Sequence, residues 1–206
     1  MKRIFTILFA LALLASLGLV TTTPVLADTI HVPGDYDTIQ EAIDAASDGD
    51  TIIVAAGLYE VNVEIDKSLT LEGAQAGGDA RNRSGPETII EPDEGPGISI
   101  ITDDDQWVVV DGFTIRNAEH GITTPEPTVA DDIIVRNVRV LNPDEFGISL
   151  TFTITTTVEY CYVEDAQYGI NAGALVPFEP TVATFRHNEV VGTEFGIQGY
   201  LKDSNR

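Results

Sequence analysis

The chain has 206 residues, with 33 acidic against 11 basic side chains and a formal charge of −22. Such a surface repels the phosphate backbone, whose neutralisation supplies most non-specific nucleic-acid affinity, and it repels anionic membrane surfaces for the same reason. A single cysteine excludes an intrachain disulfide and a cysteine-based zinc site, so stability must come from a core that the 43% of hydrophobic residues can furnish.

In chain order, Lys2-Arg3, an apolar run over residues 4–20 and then Val25-Leu26-Ala27 have the three-part form of a secretory leader, with cleavage expected after Ala27. Residues 1–27 are therefore assigned to a signal peptide. The product is expected to be secreted or displayed at the cell surface, with no membrane span after cleavage. Loss of Lys2 and Arg3 leaves it more acidic still. An exported chain with one thiol has either buried it or paired it between chains, and Cys161 is expected to be buried.

Residues 28–50 read as an N-terminal strand and a capping helix. Thr38 with Glu41 forms a capping box, and Ile39, Ala42, Ile43 and Ala46 follow at helical spacing. The spacing predicts a short helix over residues 38–46, stopped by Ser47-Asp48-Gly49-Asp50. Thr51-Ile52-Ile53-Val54 and the alternation of Val61, Val63 and Ile65 then read as the first strands. A Gly-rich loop spans residues 76–86 and carries the sequon Asn82-Arg83-Ser84, usable only in a host that glycosylates.

From residue 97 onward the chain repeats. Gly-Ile recurs at Gly97-Ile98, Gly121-Ile122, Gly147-Ile148, Gly169-Ile170 and Gly196-Ile197, at intervals of 24, 26, 22 and 27 residues. Upstream of the last four pairs, Val110-Asp111-Gly112-Phe113-Thr114-Ile115 aligns with the blocks beginning at Val135, Val158 and Phe185. A unit of about 25 residues built of short β-branched strands cannot close its own core, so units must stack. The pattern predicts a parallel β-solenoid over residues 51–200, of about five to six coils. Equivalent residues then form columns along the axis. Phe113, Val138, Cys161 and Asn188 make one, which places the thiol in the core. Asp111, Arg136, Glu159 and Arg186 make a surface ladder of alternating sign. A solenoid needs its first coil covered, and the helix is the expected cap. The polar tail, residues 201–206, is too short to cap the other end, which leaves open that the chain is the N-terminal part of a longer protein.

The segment Gly34-Asp35-Tyr36-Asp37-Thr38-Ile39-Gln40-Glu41-Ala42-Ile43-Asp44-Ala45-Ala46, with Asp48-Gly49-Asp50-Thr51-Ile52-Ile53-Val54 and Gly57-Leu58-Tyr59-Glu60, resembles the opening of pectin-lyase-like proteins. Pectin methylesterases and microbial surface β-helix proteins begin in this way. The resemblance implies an all-β fold, a right-handed parallel β-helix with a short N-terminal capping α-helix, and it says little of activity, because this architecture hosts lyases, hydrolases, esterases and inert shafts alike. The esterase reading fails on residues. Its paired glutamines, its two aspartates in fixed contexts and its Gly-Arg-Pro-Trp-like segment have no counterpart, and the sole tryptophan, Trp107, follows Asp103-Asp104-Asp105-Gln106.

Several residues remain as candidates. His120, Phe146, Tyr168 and Phe195 precede successive Gly-Ile pairs, with Glu119, Glu145, Gln167 and Glu194 one step earlier. Aromatic groups beside carboxyl groups suit pyranose recognition, which needs an apolar platform with polar groups at its edge. Ser99, Thr123, Ser149, Asn171 and Gln198 follow the pairs as an expected outward polar column. The carbohydrate-binding set is thus His120, Phe146, Tyr168, Phe195, Glu194 and Asn171. Glu119 and Glu145, one coil apart, are the candidate carboxylate pair for glycoside hydrolysis, and Arg139 is the one central candidate base for a lyase. Asp103 and Asp105 are the candidate ligands for Ca²⁺. No cofactor is required. The reading that results is a secreted or cell-surface β-helix module, binding or structural, whose partner is a polysaccharide or cell-envelope glycan. The alternative is a carbohydrate-active enzyme of the same fold, a polysaccharide lyase or a glycoside hydrolase, or a fragment of one.

Overall fold

A computed structural model describes residues 26–103, 105–125, 130–151, 153–173 and 182–200. Most of the expected leader, the tail 201–206 and Asp104 lie outside the described residues. The strands form three parallel sheets that wind as a solenoid of about six turns. Sheet A has seven strands: Thr29–Val32, Thr51–Val54, Leu69–Glu72, Trp107–Asp111, Ala130–Arg136, Thr153–Glu159 and Val182–Arg186. Sheets B and C have six each. Sheet B runs from Gly57–Tyr59 to Glu189–Val191 and sheet C from Val63–Ile65 to Phe195–Tyr200.

Register follows the apolar period. Along sheet A the inward column is Ile30, Ile52, Leu71, Val110, Val135, Val158 and Phe185. Along sheet C it is Val63, Ile98, Ile122, Ile148, Ile170 and Ile197. β-branched side chains suit such columns, because one χ1 rotamer serves every coil and neighbours about 4.8 Å apart interlock. Cys161 is fully buried, as expected, with its thiol directed at the carbonyls of Val135 and Glu159.

The corners carry their own chemistry. Gly112, Asn137, Tyr160 and His187 turn the chain from sheet A to sheet B, and Asn117, Asn142, Asp165 and Gly192 turn it from B to C, all with positive φ. Asn, Asp and Gly tolerate that left-handed conformation best. Interstrand hydrogen bonding continues through these corners, for instance from Asn117 N to Leu141 O and from Asn142 N to Glu164 O.

The Gly-Ile glycines mark where sheets B and C converge. A Cβ on Gly147 would lie 2.6 Å from the Gly169 carbonyl oxygen and closer still to Val163, and Gly97, Gly121 and Gly169 are hemmed in alike. Their recurrence is thus a steric requirement of coil stacking.

The helix Ile39–Ala45 covers the first coil, with its capping box formed by Thr38 and Glu41 and with Ile39, Ala42 and Ile43 buried. Gln40 completes the cover. Its amide donates to Glu64 O at 3.2 Å and accepts from Glu64 N at 3.0 Å, standing in for a neighbouring strand at the open edge of sheet C.

The loop of residues 76–86 closes over the A–B corner. Gly77 N donates to both carboxylate oxygens of Asp111, Ala80 N donates to Tyr160 O, and Asn137 Nδ2 donates to Gln75 O. Asp111 is 1% exposed and also accepts from Arg136 Nε at 2.8 Å. The charge ladder expected as surface electrostatics is therefore structural at this position, because a carboxylate beneath a loop must accept hydrogen bonds from it.

Candidate functional site

The candidates do not converge on one site: Arg139 lies on sheet B, whereas the aromatic column lies on sheet C with its His120 beside the carboxylates Glu119 and Glu145. His120, Phe146, Tyr168 and Phe195 are in register on sheet C, as their spacing predicts. Phe146 and Tyr168 stack at 4.6 Å between centroids and 16°, Tyr168 and Phe195 at 4.8 Å and 10°, and His120 meets Phe146 edge-on at 5.4 Å. The faces of the inner rings are thus spent on one another, and the strip presents edges to solvent. Each stacked pair stabilises the coil junction by roughly 0.5–1.5 kcal/mol. A pyranose platform needs a free ring face, and among the described residues Phe195, at the end of the ladder, has one side without a stacked partner.

The polar column after Gly-Ile also departs from expectation. Ser149 and Asn171 are only 7% and 6% exposed, because short side chains in mid-sheet are shaded by the coils above and below. Asn171 is therefore not open to a ligand. Glu194 is exposed on the last coil.

Arg139 is not a free base. Its Nε donates to Ala80 O at 3.1 Å and its Nη1 to Glu87 at 3.3 Å, and its guanidinium lies 5.8 Å from the Tyr162 ring centroid. Beside it Arg83, with a side chain 2% exposed, donates to Asn137 O, Phe113 O, Thr114 and Glu87. Thr114 in turn donates to Glu87 at 2.7 Å. Burial lowers the Arg83 guanidinium from its ordinary value, while the carboxylate of Glu87 opposes that shift. This network clamps the loop to sheet B.

At the B–C corner Asp93, Glu94, Glu119, Asp144 and Glu145 line an open groove of about 610 Å³. Glu119 and Glu145 stack one coil apart, with Glu145 N donating to Glu119 O. Asp103 and Asp105 lie in the turn before Trp107, where Asp103 N donates to the Gln106 side chain and Asp105 has φ 67°.

A further face, which no sequence motif marks, lies on the outside of sheet A. Strand register places Trp107, Asp132, Thr155 and Val182 in one outward row, and Thr29, Thr51, Thr70, Val109, Ile134, Thr157 and Thr184 in the next. Trp107, 37% exposed, borders a depression of about 320 Å³ whose walls include Val109, Asp132, Ile134, Thr155 and Thr157. An accessible indole beside hydroxyls and one carboxylate combines an apolar platform with polar edges. The signal lies just upstream of the aligned blocks, three and five residues before each A–B corner, and it emerges only when outward positions are compared between coils.

No protein family, characterised protein or solved structure matches the chain. Among the described residues, no helix is long and apolar enough to cross a membrane.

Proposed function

We propose that the chain is an exported β-solenoid module that binds a neutral polysaccharide of a cell envelope or extracellular matrix along the outer face of sheet A. The observation that carries this reading is the half-exposed Trp107 set in a row with Asp132 and Thr155 and flanked by Val109, Ile134 and Thr157. Parallel coils are spaced at about 4.8 Å, so a linear glycan lying along the axis would meet one outward residue of each row per coil. The leader-like N-terminus supports export, and the pectin-lyase-like opening supports a place among β-helix proteins that meet polysaccharides. The charge of −22 favours neutral over acidic polymers, because a polyuronate would need cations to bridge it to this surface. Commitment of Arg139 to Ala80 and Glu87 weighs against the lyase reading.

Co-sedimentation of the mature protein with insoluble cellulose, chitin and β-glucan, and retardation in gels containing pectate, test the reading. Retention on a neutral polymer, weakened roughly tenfold or more by Trp107→Ala, is expected from the loss of an anchoring aromatic. Retention that survives the substitution unchanged, or binding only to pectate, would refute it.

A further inference from the structure

We infer that Glu119, His120 and Glu145 form a binding site for a divalent first-row transition ion, with Zn²⁺ as the reference ion, at the B–C corner. One donor atom from each residue lies within 4.8 Å of the other two. Zn–N and Zn–O distances of about 2.0–2.2 Å place donors on one ion no more than about 4.2 Å apart. Small rotations of two carboxylates at the rim of an open groove close that difference.

The imidazole supplies an independent observation. His120 Nδ1 is buried and has no hydrogen-bond partner among the described residues, and Nε2 stands 3.9 Å from Glu145 Oε2, beyond hydrogen-bonding range. Neither ring nitrogen is thus hydrogen-bonded among the described residues, although Nε2 stands within ion-pair distance of the Glu145 carboxylate. A buried polar atom left in that state calls for an explanation, of which an ion is one. Phe146 packs edge-on against the ring at 5.4 Å and holds it beside the carboxylates.

The donor set selects the metal. One imidazole with two carboxylates suits borderline ions such as Zn²⁺, whereas Ca²⁺ takes oxygen donors alone and in greater number. Asp93, Glu94 and Asp144 line the same groove and add negative charge that favours any cation. Three protein ligands would leave a position on the ion open towards the groove. The site lies away from the Trp107 face and is independent of glycan binding there.

Calorimetric titration of the EDTA-treated, dialysed mature protein with Zn²⁺ and separately with Ca²⁺ tests the inference. One saturable Zn²⁺ site is expected, tighter than any Ca²⁺ binding and weakened tenfold or more by each of Glu119→Gln, His120→Gln and Glu145→Gln. Glu119 is exposed, so its variant keeps the test valid if the His120 variant fails to fold. Absence of saturable Zn²⁺ binding, Zn²⁺ binding that the Glu119 and Glu145 variants leave within twofold, or Ca²⁺ binding as tight as Zn²⁺ would each overturn it.

Discussion

Replacing Gly147 by alanine adds one methyl group where two sheets and two coils meet. The new Cβ would lie 2.6 Å from the Gly169 carbonyl oxygen, with Val163 closer still, and neither neighbour is the free end of a flexible side chain. One is a backbone carbonyl held within the sheet C ladder, and the other is a fully buried core residue. Relief therefore requires the coils to part locally, and overpacking of this kind costs about 1–3 kcal/mol, with the upper end expected where backbone must move. For a domain of this size each kcal/mol lowers Tm by roughly 2–4 °C, so a fall of about 6–12 °C is expected. Gly196 is the internal control. It belongs to the same Gly-Ile motif, but a Cβ there meets nothing within 4 Å, because among the described residues no coil follows it. Gly196→Ala should stay within about 0.5 kcal/mol of the parent. Thermal melts followed by circular dichroism compare the two. Equal losses, or no loss at Gly147, would refute the claim that this glycine column is required by coil stacking.

Arg83→Ala removes the centre of the loop clamp, takes the side-chain donor from the Asn137 and Phe113 carbonyls and leaves Glu87 to Arg139 and Thr114, which should cost about 3 kcal/mol in urea denaturation. Arg83→Lys should recover little of it, since one ammonium cannot reproduce a fork reaching Asn137, Phe113, Thr114 and Glu87. Burial pushes the Cys161 thiol up to about 12, from an ordinary value of 9.0. Above about pH 9 the unfolded thiol ionises while the folded one stays neutral, so its contribution to stability is full below that pH and falls by roughly 1.4 kcal/mol per unit as pH rises towards 12. Denaturation midpoints of wild type and Cys161→Ala should therefore converge with rising alkalinity, and the native thiol should resist thiol-modifying reagents at neutral pH. Parallel pH profiles for the two proteins would contradict this.

What could be read from the sequence was what repeats with the period of the coil. The Gly-Ile pairs, the Cys161 column, the Thr38–Glu41 capping box and the alignment of His120 with Phe146, Tyr168 and Phe195 all follow from local pattern, because stacking turns sequence spacing into spatial contact. Orientation was harder to read. That the aromatic rings face one another, and that Ser149 and Asn171 are shaded, depends on distances between coils that a single strand does not encode. The role of Asp111 was hidden for another reason. Its partner Gly77 lies 34 residues upstream in an irregular loop with no periodic signal. The Trp107 face lay immediately upstream of the recognised blocks, but one aromatic residue in a row completed by Asp132, Thr155 and Val182 forms no repeat.

Trp107 is the only tryptophan in the chain, so its fluorescence reports on the proposed glycan face without labelling. Titration of the mature protein with soluble neutral oligosaccharides, the emission of Trp107 being recorded against ligand concentration, tests the central claim. A saturable change in emission is expected, with a midpoint matching the affinity found by calorimetry and shifted to weaker binding by Thr155→Ala. Calorimetric binding of the glycan with no change in Trp107 emission would place the ligand elsewhere and contradict the account.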